Sequence, residues 1–406
     1  MNDSILELRT QARSLFEVHG GWPDSKVEAW KYTPLRTLIG DLPQTDRDGD
    51  ALTSLLPEGP LPAGITVSQG LPLLEQAVDP VSRAGLACFR GGWHLKVTEG
   101  IRHEAPLRMP VLNIHSPGSI GIQNRLVMGK GSRLTLIEEI HAGRPLSHGT
   151  KSPAEDMDRA LEPTPASVPY TYRVVHHTHV TLEEGAELTL IRWWRSGTQG
   201  AVLHQTDAVQ HKTSRLEIQT LAWGEGLVRN NIHLDQVGDL ALSKMHTLSL
   251  AGNGSHVDQY SRVRHAALEG ESHQHAKAIA APGGTAVFNG VLRVEPHAQQ
   301  TNAYQRSSNL MLDTGTTGTA SGEGETGRVH AKPELQIFAD NVRCSHGATM
   351  GRLNSEALFY LQSRGLSHEE ARKVLTQAFA EEILEAVSDP DLRIRATQDL
   401  QALTFF

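Results

Sequence analysis

The feature that most constrains the fold is a short run of residues that recurs in the middle of the chain. Residues 132–137 read Ser-Arg-Leu-Thr-Leu-Ile, residues 186–191 read Ala-Glu-Leu-Thr-Leu-Ile, and residues 214–218 read Ser-Arg-Leu-Glu-Ile. Residues 238–242 form a weaker copy, and each run follows or contains a small residue at an expected turn. Apolar residues that alternate over this length predict short β-strands, and their degenerate repetition predicts a stacked β architecture.

Two architectures with many short strands fit these repeats. In a parallel β-helix, each coil supplies strands whose inward side chains stack on those of the next coil. An antiparallel sandwich also has many short strands, but it needs tight hairpins, and the Asn-Gly pair at residues 289–290 is an isolated hairpin signal. The pattern therefore favours a parallel β-helix over a sandwich.

Helical periodicity appears at both ends of the chain. Apolar residues at three- and four-residue steps predict a helix over residues 4–18 and two more after residue 351. In the later region, Ser367 and Glu370 form a capping-box pattern at the start of a helix, and Pro390 is expected to stop that helix. The mainly β core is thus predicted to be flanked by N-terminal and C-terminal helical regions.

These signals divide the chain into three regions. We expect a helical or irregular N-terminal region at residues 1–83, the β-helix core at 84–350 and a helical region at 351–406. Residues 144–169 are rich in charge and proline and predict an exposed insertion in the core. Residues 314–327, rich in Thr, Gly, Ser and Glu, predict a flexible loop.

Composition narrows the class of protein. With 38 Lys and Arg against 46 Asp and Glu, the formal net charge is -8, which disfavours nucleic acid as a partner. The start of the chain lacks the basic region and the apolar stretch that form a signal peptide. The sequence also contains no run of 18 apolar residues, so it predicts a cytoplasmic protein without a membrane partner. Two cysteines far apart in sequence, Cys88 and Cys344, are expected to be free thiols in a reducing compartment.

Motifs for nucleotide hydrolysis are missing. A phosphate-binding loop ends in Gly-Lys followed by Ser or Thr, but the pair Gly129-Lys130 is followed by Gly131. We therefore expect this chain not to bind or hydrolyse ATP itself.

Two histidine pairs could bind metal. On a strand, residues two apart point to the same side, as would His177 with His179, and His273 with His275. Glu183 follows His179 by four residues, as in the first metal motif of cupins, although the glycines that flank that motif are missing. A cupin-like or β-solenoid metal-dependent enzyme is therefore an alternative function, and histidines that simply stack on the surface are the other interpretation.

The tetrapeptide Cys344-Ser345-His346-Gly347 lies after a strand-like run and before the C-terminal helices. A thiolate is a soft ligand and an imidazole a borderline ligand, and Arg343 is expected to favour the thiolate. Two cysteines cannot form a four-cysteine cluster site, so any cluster here must take ligands from elsewhere. From the residues alone, a purely structural role for this pair stays open.

Longer stretches around this tetrapeptide resemble the SufB/SufD family of iron-sulfur cluster assembly proteins. The resemblance is densest over residues 253–387 and sparse over residues 43–173. The stretches that carry it are residues 28–35 (Glu-Ala-Trp-Lys-Tyr-Thr-Pro-Leu), 288–290 (Phe-Asn-Gly), 297–301 (His-Ala-Gln-Gln-Thr), 309–310 (Asn-Leu) and 332–365, which contains Cys-Ser-His-Gly. The first stretch and the Cys-Ser-His-Gly form favour the SufD side of the family over the SufB side.

The resemblance implies a right-handed parallel β-helix in a non-catalytic scaffold subunit. It implies pairing with a SufB-like subunit and docking of the C-terminal helices on a SufC-like ATPase, and it leaves open a homodimer when the SufB-like subunit is lacking. It also implies that Cys344 and His346 bind iron or hold a nascent iron-sulfur cluster at the SufB contact. The cluster would be transient and shared with the partner.

Overall fold

The computed structural model describes residues 2–39, 55–57, 59–69, 79–115, 117–143, 170–314 and 326–403. The predicted insertion at 144–169, and most of the predicted loop at 314–327, lie outside these residues. The described helices are α1 Asn2–Val18, α2 Leu35–Ile39, α3 Pro80–Ala87, α4 Ser355–Ser363, α5 His368–Leu384 and α6 Pro390–Ala402, with a 3₁₀ turn at Glu28–Trp30. The described strands are β1 Ile65–Gln69, β2 Phe89–Gly91, β3 Trp93–Val97, β4 Leu107–Arg108, β5 Leu112–Ile114, β6 Gly118–Met128, β7 Arg133–Ala142, β8 Tyr172–Leu182, β9 Glu187–Ser196, β10 Gly200–Gln210, β11 Arg215–Gly224, β12 Leu227–Gln236, β13 Leu242–Ala251, β14 His256–His265, β15 Glu271–Ala280, β16 Thr285–Val294, β17 Asn302–Met311, β18 Arg328–Ile337 and β19 Arg343–Gly351.

From β5 onward, successive strands alternate between two sheets. Sheet A has the order β1-β3-β6-β8-β10-β12-β14-β16-β18, and sheet B has the order β19-β17-β15-β13-β11-β9-β7-β4. Within the described chain, β1 and β3 are antiparallel, whereas the strands from β6 to β19 pair in parallel with the strands two positions along the chain. This confirms the predicted β-helix core, in which two strands form one coil.

The sequence repeats that predicted stacking are aligned in register in sheet B. Leu134 of β7 lies beside Leu188 of β9, which in turn lies beside Leu216 of β11. All three side chains are at most 2% exposed and belong to a cluster between the two sheets, here called the inner cluster. Burying each leucine contributes about 1.5–3 kcal/mol. The weaker copy at 238–242 differs, because it lies mostly in the turn that precedes β13.

The N-terminal region covers the outer face of sheet A. Phe16 of α1, Trp30 of the 3₁₀ turn and Leu86 of α3 form one buried cluster with Val175 of β8 and Leu203 of β10. The predicted N-terminal helix is confirmed, and it begins at Asn2. The division at residues 83 and 84 stays a prediction, although β1 lies before this boundary and α3 crosses it.

The C-terminal helices cover the outer face of sheet B. Ile383 of α5 and Leu392 of α6 join a buried cluster that includes Trp193, Trp223 and Leu250 of the sheet. The outer face of each sheet therefore has its own helical cover.

None of the helices in the described part of the chain combines the length and the apolar character that a bilayer crossing needs.

The predicted caps of these helices are partly confirmed. Ser367 and Glu370 form the expected capping box: the Ser367 N–H donates to the Glu370 carboxylate at 2.7 Å, and the Glu370 N–H donates to Ser367 Oγ at 3.2 Å. Pro390 does follow the end of α5, but it also opens α6, where Asp389 is the N-cap. This last helix was not predicted from the sequence.

Candidate functional site

The last coil of the β-helix is the least covered part of the described core. Strands β18 and β19 end sheets A and B, and neither contains a fully buried residue, whereas most positions of the preceding strands β16 and β17 are buried. Each terminal strand pairs with one neighbour in its sheet and leaves its other edge without a strand partner among the described residues. This end of the β-helix, here called the open end, therefore exposes backbone donors and acceptors and inner side chains.

The structure places Cys344 and His346 on the same side of β19 at the open end. Cys344 lies opposite Ala303 of β17, and His346 lies opposite Gln305. Ala303 and Gln305 are 0% and 3% exposed, and Ala303 belongs to the inner cluster, so this side of the strand faces the interior of the coil. Because no further coil lies over them, Cys344 is half-buried and His346 is exposed.

The surroundings of Cys344 do not favour its thiolate form. Burial raises the pKa of the Cys344 thiol above its usual value, and the backbone of Ala303 offsets this only in part. The sequence-based expectation that Arg343 would favour the thiolate is therefore wrong for the isolated chain. A ligand that binds this sulfur must displace a proton, or a partner must change its surroundings.

Large apolar side chains surround the open end. Phe338, which follows β18, is 54% exposed, and Met350 of β19 is 56% exposed. Leu335 and Ile337 of β18, whose partners in β16 are fully buried, are themselves only partly covered. Exposed apolar side chains beside an unpaired strand edge are typical of a protein-protein contact.

A second cluster of possible ligands lies on the outer face of sheet A. His177 Nε2 donates to the Asp207 carboxylate at 2.6 Å, and His177 and His179 have ring centroids 4.1 Å apart. One ligand atom from each of His177, His179 and Asp207 lies within 4.8 Å of the others. The predicted histidine pair is thus brought together with a carboxylate, but the carboxylate is Asp207 of β10 rather than Glu183.

The ionisation states in this second cluster suit a metal ligand. Burial is the main cause that lowers the pKa of His179 to about 4, so its ring is neutral at neutral pH. The pKa of Asp207 is also well below its usual value, because hydrogen bonds from His177 and His233 outweigh the effect of burial. Cupins are antiparallel jelly rolls, so the parallel strands show that the cupin part of the alternative hypothesis is wrong.

The other histidine pair is placed differently. His273 and His275 lie on β15 in sheet B, where His273 contacts the carboxylate of Glu271 at 2.5 Å and His275 lies 3.7 Å from Glu382. In the part of the chain that the structure describes, these residues do not form a group of three possible metal ligands. Each of these histidines instead lies beside a single carboxylate.

Sequence reasoning missed the contacts that the N-terminal stretch at 28–35 makes with sheet A. Thr33 donates to Asp258 of β14, and Asp258 pairs with Arg229 of β12, both of them buried. Arg229 also donates to the Ala29 carbonyl at 2.7 Å, and its guanidinium lies 4.1 Å from the centroid of the Trp30 ring. These contacts explain the Trp and Thr of this stretch as docking residues.

A polar network inside the β-helix was also missed. Arg192 Nε donates to Glu138 at 3.0 Å, and both side chains are at most 5% exposed. Nearby, Nδ1 of His176 lies 2.6 Å from Nδ1 of His204, and Nε2 of His204 lies 2.7 Å from Thr206 Oγ1. The buried groups largely satisfy one another, as a structural network requires.

The two cysteines differ in their access to solvent. Cys88 is 2% exposed, its sulfur donates to the Ala84 carbonyl at 3.0 Å, and burial raises the pKa of its thiol to about 12. Cys344 alone is reachable from solvent, so any thiol chemistry of this chain falls to Cys344.

Comparisons with known proteins assign the family. The model of the SUF system FeS cluster assembly SufBD core domain matches residues 170–379, just over half of the chain. An iron-sulfur cluster assembly SufBD family protein of Synechocystis sp. is 31% identical over 303 residues, which are 74% of this chain and 61% of that protein. The chloroplastic protein ABCI7 of Arabidopsis thaliana is 33% identical over 225 residues, 55% of this chain and 45% of that protein. The iron-sulfur cluster assembly protein SufD of Escherichia coli is 27% identical over 405 residues, 92% of this chain and 87% of that protein.

The matched region therefore spans about three fifths of the Synechocystis protein and under half of the Arabidopsis protein. The family match begins at Tyr170, just before β8, and runs through the open end into α5. It contains the two predicted site residues, Cys344 and His346, and also the cluster of His177, His179 and Asp207. The chain belongs to the SufB/SufD family of the SUF system for iron-sulfur cluster assembly.

Proposed function

We propose that this chain is a SufD-like, non-catalytic scaffold subunit of a cytoplasmic iron-sulfur cluster assembly complex. In this proposal the open end pairs with a SufB-like subunit, and Cys344 and His346 acquire iron or hold the nascent cluster at that contact. ATP hydrolysis falls to a SufC-like subunit. The observation that carries the proposal is the placement of both side chains on the inner side of β19, at the one end of the β-helix where described strand edges and apolar side chains are uncovered together.

The uncovered strand edges support pairing with another β-rich subunit. An exposed edge presents unpaired backbone N–H and C=O groups that another strand can satisfy. Phe338 and Met350 add apolar surface beside these edges. A SufB-like subunit with a β-helix of its own would continue the stacking that the last coil interrupts.

The chemistry of Cys344 and His346 supports a role toward iron or sulfur. Residues two apart on a strand have Cα atoms about 6.6 Å apart and side chains on one side, so both can face the same cargo. One thiol and one imidazole leave a cluster short of ligands, and a partner must supply the rest. Burial of Cys344 by the partner alone would disfavour the thiolate further, so we expect the partner or the bound iron to supply positive charge there.

The C-terminal helices support docking of a third subunit. Helix α4 has no buried residue, and its Phe359 and Tyr360 are 73% and 56% exposed. Helices α5 and α6 fix its position by packing on sheet B. An apolar, unpartnered helix face on a fixed support is suited to the SufC-like ATPase of the proposal.

One reconstitution with SufB-like and SufC-like subunits tests the partner assignments. We expect Met350→Asp to weaken co-purification of the SufB-like subunit and Phe359→Asp to weaken that of the SufC-like subunit. Leu6→Asp, a matched change at a 62% exposed position of α1, is the control and should retain both. Retention of both partners by both test variants would contradict the proposed surfaces.

The same reconstitution tests the site. In complexes that still contain all subunits, we expect His346→Ala and Cys344→Ala to reduce cluster formation at least tenfold, measured by the visible absorbance of the cluster. Ser345→Ala is the matched control, because Ser345 lies between these two residues and faces the other side of β19. Full cluster formation by both test variants would show that neither side chain handles iron or sulfur.

A further inference from the structure

We infer that His177, His179 and Asp207 form a binding site for one divalent first-row transition-metal ion on the outer face of sheet A, separate from Cys344 and His346. The two histidines come from β8 and the carboxylate from β10, and the parallel register places Asp207 directly beside His179. Two imidazoles and one carboxylate are the protein ligand set of many zinc and non-haem iron sites.

The hydrogen-bonding pattern leaves ligand atoms available at this cluster. His177 is 0% exposed, and its Nδ1 and the Nε2 of His179 are buried without a hydrogen-bond partner among the described residues. Other buried side chains also lack a partner, but among the described residues His177 and His179 are the ones that belong to a group of three possible ligands. A metal ion would take the place of the proton between His177 Nε2 and Asp207, and it would also satisfy the ring of His179.

A second shell of side chains holds the carboxylate. Gln205 Nε2 donates to Asp207 Oδ1 at 2.9 Å, and His233 Nδ1 lies 3.1 Å from the same oxygen. Outer-shell partners of this kind orient a ligand and are a usual part of a metal site. The Asp207 side chain is 25% exposed, which leaves a path for the ion and room for water ligands.

The charges that face the cluster from neighbouring elements are compatible with a cation. Asp79, the N-cap of α3, contributes a second negative charge near His179. Arg125 of β6, the register partner of His179, is the opposing cation, but its side chain is exposed and can turn toward solvent. Two carboxylates, Asp207 and Asp79, therefore act on His179 against the guanidinium of Arg125.

The site is distant from the open end. Strand β10 lies four strand positions from β18 in sheet A, which corresponds to roughly 19 Å at the usual spacing of neighbouring strands. A metal bound at β8 and β10 therefore cannot contact Cys344 or His346 within one chain. Its loss should leave the partner contacts of the open end unchanged, so this inference and the proposed function can fail independently.

Direct metal titration of the full chain, produced without a polyhistidine tag and stripped with a chelator, tests the inference. We expect one Co²⁺ per chain with a visible absorption band, displaced by Zn²⁺, with the stoichiometry checked by equilibrium dialysis and elemental analysis. Loss of an outer-shell partner weakens metal sites roughly 10–100-fold, and we expect His179→Gln and Asp207→Asn to weaken binding by more than that. Circular dichroism establishes that both variants fold.

The matched control is His273→Gln, which removes one histidine from the other pair and should bind Co²⁺ as the wild type does. The inference is overturned if the wild-type chain binds neither Co²⁺ nor Zn²⁺. It is equally overturned if His179→Gln binds Co²⁺ as tightly as the wild type, or if His273→Gln loses as much affinity as His179→Gln.

Discussion

The change Asp258→Asn tests how the N-terminal region is attached to sheet A. Asp258 is 1% exposed, pairs with Arg229 across neighbouring strands and accepts a hydrogen bond from Thr33. The amide keeps the shape of the carboxylate but removes its charge, and so leaves the buried Arg229 guanidinium without a counter-ion. Breaking a buried ion pair from one side costs about 3–5 kcal/mol.

The expected loss lies at the lower end of that range, about 3 kcal/mol. Arg229 keeps its hydrogen bonds to Asn231 and to the Ala29 carbonyl, both at 2.7 Å, and its contact with the Trp30 ring. Urea unfolding followed by tryptophan fluorescence measures the change. The double variant Asp258→Asn with Arg229→Met should lose less than the single variant, because it removes the unpaired charge.

The control for this experiment is Glu28→Gln, a change of the same kind in the N-terminal stretch that docks on Asp258. Glu28 pairs with Lys332, but its side chain is 57% exposed, so water screens the pair and the change in stability should be much smaller. If Asp258→Asn unfolds at the same urea concentration as Glu28→Gln, the buried pair does not hold the N-terminal region in place.

Two further variants test close packing and pH dependence. Gly121→Ala should lower the free energy of unfolding by about 3 kcal/mol, because the added Cβ would lie 1.7 Å from the Gly85 carbonyl oxygen of α3. In the control Gly347→Ala, the added Cβ would meet no atom within 4 Å, so the melting temperature should stay unchanged. Burial lowers the pKa of His265 from 6.5 to about 4, so wild-type stability should fall between these pH values as the unfolded chain takes up a proton. The variant His265→Gln is suitable for this test because Gln236 occupies the same register position in β12. Between pH 7 and pH 5, its free energy of unfolding in urea should fall by about 2 kcal/mol less than that of the wild type. Equal decreases for both proteins would contradict this reasoning.

The β-helix could be predicted from the sequence because its repeats are local and periodic. Leu188 and Leu216 are equivalent positions of consecutive coils, and each coil repeats the same alternation of inward apolar residues. The cap formed by Ser367 and Glu370 was predicted for a similar reason, since both partners lie within one helical turn. Prediction succeeded where the interacting residues are close in sequence or share a repeat.

The carboxylate partner of His177 and His179 can be named from the sequence only if the number of residues per coil is known. The prediction of Glu183 did not take this number into account. Residues one coil apart on β8 and β10 differ by 28 in number, as the register partners His177 and Gln205 do. The repeats at 186–191 and 214–218 carry the same spacing, and its addition to His179 leads to Asp207, its register partner. The signal was therefore present, whereas Glu183 was preferred because it is near in sequence.

The docking of residues 28–35 on sheet A has no comparable signal. Thr33 and Asp258 are 225 residues apart, and neither lies in a repeat or a turn motif that indicates its partner. Only the packing of the N-terminal region on the outer face of sheet A brings them together. A buried Asp in a strand could be recognised as unusual, but its partner could not be named from the sequence.

The asymmetry of the two ends of the β-helix gives the proposed partner contact a basis that does not depend on Cys344. At the first end, β1 pairs antiparallel with β3 in sheet A, and the buried residues Ile65 and Val97 join the inner cluster. At the last end, β18 and β19 continue the parallel stacking and stop, so that inner positions such as Leu335 are only partly covered. A parallel stack buries its core only where another coil or a cap follows. The free energy available from covering this end therefore favours a partner there, and the tests of Cys344 and His346 then decide only what that contact does chemically.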